Sequence, residues 1–173
     1  MLIIFGGLPG VGKTTLAKRL SQHLKATYLR IDTIEQAITH SSLGIHDAKE
    51  AGYFVGYALA KENLLMGQMV VSDSVNPLEI TRKAWIEVAT AAQSDWVEVE
   101  IICSDKTQHK SQVENRTSDI PGHHLPKWEN VTNRHYEAWE SKHITINTAG
   151  KTVENTMAEL CEKLEPFLCK GAS

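Results

Sequence analysis

Leu2-Ile3-Ile4-Phe5-Gly6-Gly7-Leu8-Pro9-Gly10-Val11-Gly12-Lys13-Thr14-Thr15 decides how this chain is read. Four consecutive apolar residues stopped by glycines predict a short strand covered on both faces. From Lys13 the period changes. Leu16, Leu20 and Leu24 recur every four residues, with Lys18, Arg19 and Gln22 between them. That spacing predicts a helix with one apolar stripe. Between strand and helix, residues 7–14 spell Gly-x-x-x-x-Gly-Lys-Thr. Glycines let successive backbone N–H groups turn inward around an anion, and the helix adds its positive end. At these positions Lys13 reaches the β and γ phosphates, and the Thr14 hydroxyl is placed to ligate Mg²⁺. Gly7, Leu8, Pro9, Gly10, Val11, Gly12, Lys13, Thr14 and Thr15 are therefore expected to hold the phosphates of ATP. The competing reading is a glycine turn that happens to carry Lys-Thr.

Outward from this stretch, strands and helices alternate. Strands are expected at Thr27–Ile31, Met69–Asp73, Trp96–Cys103 and Ile144–Asn147. Helices are expected at Ile34–Ile38, from a cap at Asp47 to about Met66, and at Arg82–Ala92, Lys127–Ser141 and Thr152–Leu168. Alternation of this kind predicts an α/β fold with a parallel sheet covered on both faces. Gly52, Gly56 and Ala60 fall on one stripe of the Asp47 helix. Helical glycines cost about 1 kcal/mol each, so the stripe predicts a close backbone approach. Residues 104–123 are polar and charged and are expected to form a mobile insert, a lid, within a single domain spanning 1–173.

The 173 residues fit one domain of ordinary size. A formal charge of -3 argues against a nucleic-acid coat, which needs a basic face. Cys103, Cys161 and Cys169 are an odd number without metal-ligand spacing, so reduced cytoplasmic thiols are expected. The apolar run at Met1–Phe5 is too short for a signal segment or a membrane span.

In open parallel sheets, ligands lie beyond the carboxyl ends of the strands. Asp32 and Asp73 each fall at such an end. Asp32 is placed to orient a hydroxyl or accept its proton, and Asp73 to organise Mg²⁺ through water. Either residue is alternatively a helix cap or turn former. Ser74 and Asn76 line the loop after the third strand; Tyr53 and Tyr57 stand one helical turn apart and could flank a substrate. In the charged insert, Lys106, His109, Lys110 and Arg116 are candidates to close over phosphates, with Arg134 beyond them. A cation brought over the moving phosphoryl group stabilises its spread charge, and arginine does so with two bonds at once. A solvated helix face is the competing reading of that run. His123-His124 near Asp119 lack the spacing of a metal site.

Taken together, the loop at 7–15, Leu-Arg-Ile-Asp ending at Asp32, Val-Val-Ser-Asp-Ser-Val-Asn-Pro at 70–77 and Val-Glu-Asn-Arg-Thr-Ser-Asp-Ile-Pro-Gly at 113–122 resemble the small P-loop kinases of the AAA-type ATP-binding group. Gluconate kinase, adenylyl-sulfate kinase, chloramphenicol phosphotransferase and polynucleotide kinases belong to that set. The resemblance implies a three-layer P-loop fold with a five-stranded parallel sheet in the order 2-3-1-4-5. It implies that Asp32 faces the acceptor hydroxyl, that Arg116 comes from the lid, and that adenine lies near Thr148-Ala149-Gly150. Relatives carry further lid arginines where Lys110 and Gln112 stand here. The leading expectation is transfer of the ATP γ-phosphate to a hydroxyl of a small molecule, with Lys13, Asp32 and Arg116 catalytic. Alternatives are an ATP-binding regulator with little turnover and a polynucleotide 5′-hydroxyl kinase, the latter disfavoured by the acidic balance. No Asn-Lys-x-Asp is present to read guanine.

Overall fold

The computed structural model describes residues 1–169. Five strands, β1 (Leu2–Gly6), β2 (Thr27–Arg30), β3 (Val70–Asp73), β4 (Trp96–Ile102) and β5 (Ile144–Asn147), form one sheet in the order β2-β3-β1-β4-β5. Every pairing is parallel, with Leu2 opposite Val70 on one side and Trp96 on the other. The expected order 2-3-1-4-5 is the order found. β1 is fully buried because it lies in the middle.

Strand period two splits the core into two layers. Ile3 and Phe5 face α1 (Lys13–Leu24) and α7 (Val153–Leu168), packing with Leu16, Leu20, Leu160 and Leu164. Leu2 and Ile4 face α3 (Ala51–Leu65) and α4 (Glu79–Ala91), packing with Ala60, Leu64, Trp85 and Ala89. The stripe Gly52, Gly56, Ala60 and Leu64 is the buried face of α3. A Cβ on Gly56 would come within 2.6 Å of Ile31 Cδ1 and 3.3 Å of the Trp85 ring, which is the close approach the sequence predicts.

Several boundaries move. β2 ends at Arg30, and Asp32 lies in the first turn of α2 (Ile31–Thr39). A negative side chain is favourable there. α3 starts at Ala51, not Asp47, because Asp47 accepts the Lys49 N–H in a turn of its own. α4 begins three residues earlier than expected, at Glu79. α7 carries Pro166 within its last turn and is capped by Thr152, whose hydroxyl accepts the Asn155 N–H at 3.2 Å. The expected charged insert is half helix: Asp105 caps α5 (Lys106–Asn115) by accepting from Thr107 and Gln108.

The largest correction concerns 127–141, where only α6 (Trp128–Thr132) is helical. Glu98 and Glu100 point out of the sheet on the face without α1, and the following chain is drawn across to meet them. Ser141 Oγ donates to Glu98, and the Tyr136 hydroxyl donates to Glu100 at 3.0 Å. Trp139 donates to that same hydroxyl, packs over Gly6 and receives the Arg82 guanidinium 4.8 Å from its ring. These tertiary bonds replace those a continued helix would have made. Among the described residues no helix is long and apolar enough to cross a membrane, and the three cysteines are free.

Candidate active site

β1 delivers the chain into the loop at residues 7–12, and the Gly7 N–H is fixed by the Val75 carbonyl at 3.0 Å. Gly10 and Gly12 take φ of 88° and 92°, a left-handed region that other residues enter at a cost. At Gly10 a Cβ would also run into the Val113 side chain, so α5 lies directly on the loop. Gly12 caps α1 with no side-chain hydrogen bond and no acidic residue in the first turn. The free N–H groups and positive helix end there remain available to an anion.

Lys13 is only 7% exposed, and its ammonium donates to Asp73 at 2.7 Å. The other Asp73 oxygen accepts from the Tyr28 hydroxyl at 2.7 Å. Burial alone would push the Asp73 carboxyl up. The Lys13 charge and hydrogen bonds from Lys13, Tyr28 and Thr14 more than offset that, holding it below the ordinary carboxylate range. Asp73 is thus the counter-ion that keeps Lys13 at the base of the loop.

The far half of the chain builds the loop's walls. The Thr148 hydroxyl donates to the Val11 carbonyl at 3.1 Å. His109 Nε2–H donates to the Pro9 carbonyl at 2.9 Å, with its ring edge-on to Trp128. His109 therefore grips the loop backbone instead of reaching over phosphates.

A cavity of about 1400 Å³ opens beside the loop, lined by Leu8–Leu16 together with Asp32, Glu35, Tyr53, Ser74, Arg116, Arg134 and Thr148. Of the expected site residues, Leu8, Pro9, Gly10, Val11, Gly12, Lys13, Thr14, Thr15, Asp32 and Arg116 meet there. Gly7 and Asp73 lie beneath the lining. Lys110 does not join them, because α5 turns it to solvent beside Glu114. Gln112, Asn115 and Arg116 line the cavity instead. Gly150 is also outside: its N–H is taken by Gln108 at 2.9 Å, and Thr148 and Lys151 line the cavity on either side. Tyr53 lines the cavity, whereas Tyr57 turns away against Trp85, its hydroxyl donating to Thr81. Asn76 is wholly buried, its side-chain amide donating to the Phe5 carbonyl at 2.7 Å.

Arg116 follows α5 directly, and its Nε has no partner among the described residues. Burial, joined by the Arg30 charge, lowers its pKa against the pull of Asp32. Arg30 donates to Asp119 at 2.7 Å, and Lys18 donates to the second oxygen of that carboxylate. Hydrogen bonds from Lys18 and then Arg30 bring the Asp119 pKa down to about 2. This bond set fastens the segment after α5 to α1 and β2. Its partners are far apart in sequence, which carries no sign of the pairing. Glu35 is a further cavity residue that sequence reasoning missed, although its spacing of three from Asp32 on an amphipathic helix was an available signal. Among the described residues no group of three or more His, Cys, Asp or Glu side chains is placed to hold a metal.

A five-stranded parallel sheet in this order, with a glycine loop running from its central strand into an uncapped helix, defines the small P-loop kinase fold. The chain belongs to the family described as an AAA domain, which it matches over residues 2–138. It is 25% identical over 170 residues to Probable bifunctional SAT/APS kinase 2 of Sorangium cellulosum (strain So ce56), covering 95% of this chain but 28% of that protein. A crystal structure described as a kinase candidate from Chloroflexus aurantiacus J-10-fl superposes with a TM-score of 0.74 at 20% identity, over 99% of this chain and 97% of the other. Chaetomium thermophilum Kti12, solved in complex with ADP-AlF3, gives a TM-score of 0.70 at 22% identity, over 96% and 98%. At these identities the two structures speak for the fold.

Proposed function

We propose that this chain transfers the γ-phosphate of ATP to a hydroxyl group of a small-molecule acceptor. One observation carries the reading: Asp32, Arg116 and the phosphate loop line a single cavity with room for both reactants. The loop N–H groups and Lys13 hold the phosphates of the donor. Thr14 and, through water, Asp73 are the residues that would hold Mg²⁺, whose chemistry there is to neutralise charge between the β and γ phosphates. Asp32 faces the acceptor side from the first turn of α2 and orients the hydroxyl, taking its proton as the oxygen attacks phosphorus. The bond from the γ-phosphorus to the bridging oxygen breaks, and ADP leaves. Arg116 stabilises the charge spread over the transferring group; its Nε is unpartnered among the described residues, and burial, joined by Arg30, lowers its pKa against the pull of Asp32. Asp32→Asn is expected to lower acceptor-dependent ADP release at least a hundred-fold, the low end of general-base catalysis, while ATP affinity holds. Turnover at the native rate in that variant removes Asp32 from the mechanism.

A second reading, an ATP-binding regulator with little turnover, draws on the segment over the cavity. Lys110 points to solvent, and neutral Gln112 lines the cavity where relatives place charge. ATP binding without ADP release across a broad hydroxyl panel decides for it.

A further inference from the structure

The cavity also carries information about the acceptor, and this inference rests on the kinase reading above. Asp32 and Glu35 stand three residues apart in α2 and both line the cavity. That spacing puts them on one helix face, about 5–6 Å apart at Cβ. Asp32 is partly offset by Arg30 Nε at 3.7 Å. Glu35 makes no hydrogen bond among the described residues, and the charges acting on it are Asp32, Asp47 and Arg134.

The position of Glu35 is built into the fold. A Cβ on Gly52 would run into its Cγ and stand 3.1 Å from Oε1. Helix α3 thus gives up about 1 kcal/mol of helix propensity so that the Glu35 side chain can lie against its backbone. On the same cavity the buried Ser74 hydroxyl, 3% exposed, is hydrogen-bonded to the Tyr53 side chain, which also lines it.

We propose that the acceptor is an amino alcohol whose protonated amine pairs with Glu35 while its reacting hydroxyl faces Asp32. The separation of the two carboxylates fits an amine and a hydroxyl on adjacent or next-adjacent carbons, as in amino sugars and aminocyclitols. A half-buried carboxyl that no hydrogen bond or ion pair satisfies is costly, and burial followed by Asp32 and Asp47 pushes Glu35 up to about 7 against the pull of Arg134. An ammonium beside it offsets that cost. In the reaction the acceptor oxygen forms the new bond to the γ-phosphorus, the bond to the bridging oxygen breaks, and the hydroxyl proton passes to Asp32 and on to solvent. The amine keeps its three protons and is not phosphorylated.

The test is coupled ADP release by the full chain with ATP and matched acceptors: D-glucosamine against D-glucose, 2-deoxystreptamine against myo-inositol, and D-gluconate as an anionic hydroxyl compound. The expected result is a kcat/KM at least about ten-fold higher for each amine than for its hydroxyl counterpart. Glu35→Gln should erase that preference, mainly through KM, with the fold and ATP affinity retained. Glu35→Asp, which keeps the charge, should restore part of it. Equal turnover of amine and counterpart, or a preference that survives Glu35→Gln, overturns the inference. Turnover confined to neutral or anionic acceptors also overturns it and leaves the kinase reading standing. No turnover with any of the three classes, while ATP binds, removes both.

Discussion

Gly10 and Gly12 offer a paired experiment on the phosphate loop. Their φ angles differ by only a few degrees, 88° against 92°. Alanine at either position therefore pays similar backbone strain, about 1–2 kcal/mol. Their surroundings differ. At Gly12 the nearest atom to an added Cβ is Thr148 Cγ2 at 3.7 Å, an ordinary contact. At Gly10 the Cβ would drive into Val113, which is 4% exposed and held in α5. Overpacking of this kind adds about 1–3 kcal/mol. Gly10→Ala should therefore be the more destabilised of the two by roughly 2 kcal/mol, or about 4–8 °C in Tm for a chain of this length. Thermal or denaturant unfolding reads the difference directly. Nucleotide titration should show weakened binding in both, because each substitution tilts N–H groups that face the phosphates. Equal destabilisation would refute the claim that α5 is seated on the loop at Gly10.

Asp73→Ala strands the buried Lys13 ammonium without its counter-ion; a loss of about 3–5 kcal/mol in unfolding free energy is expected, and Asp73→Asn, which keeps one acceptor oxygen, should lose less. Glu35 gives a pH signature. Its folded carboxyl titrates at about 7 against an ordinary 4.5, so the folded state binds the proton more tightly. Its contribution to stability is thus full below the unfolded value and is lost as pH rises through the folded one. Tm should fall between about pH 5 and 8, and Glu35→Gln should flatten that fall. Trp139→Ala removes the ring over Gly6 and the partner of Arg82; a loss of about 2 kcal/mol is expected, below the 3–5 of a fully buried tryptophan because this one is half-buried.

The strands, most of the helices and the phosphate loop were legible because each depends on local pattern, whereas the sheet order came only from the family resemblance, which also gave Arg116 its place in the lid. An apolar run bounded by glycines is a strand whatever surrounds it. A leucine every fourth residue is likewise a helix. Residues 133–141 were misread for the opposite reason. Their conformation is set by Glu98, Glu100 and Arg82, partners that lie 36 to 56 residues away where hydrogen bonds join them. Lys110 was misplaced by a smaller error: sequence located it near the site but could not tell which face of α5 meets the loop. Val113 and His109 decide that, and His109 was read as a candidate phosphate ligand while Val113 was read only as part of the 113–122 stretch. Glu35 went unremarked because an acidic residue on an amphipathic helix is ordinarily solvent-facing. Only Gly52 across the gap shows otherwise.

Thr148 bonds to Val11 across 137 positions of chain, and His109 bonds to Pro9 across 100. The loop is contiguous, yet these two supports emerge from the ribosome long after it. During synthesis the glycine stretch can be tied at Val75 and Asp73 first, and its far wall is complete only when β5 and the turn at Thr148 have docked. Long loops of this kind close slowly, since chain entropy must be overcome before the contacts form. The complete cradle therefore forms late, only after residue 148 has been made and docked. A ligand that binds only the completed cradle also selects, by mass action, for molecules in which both ends have found each other.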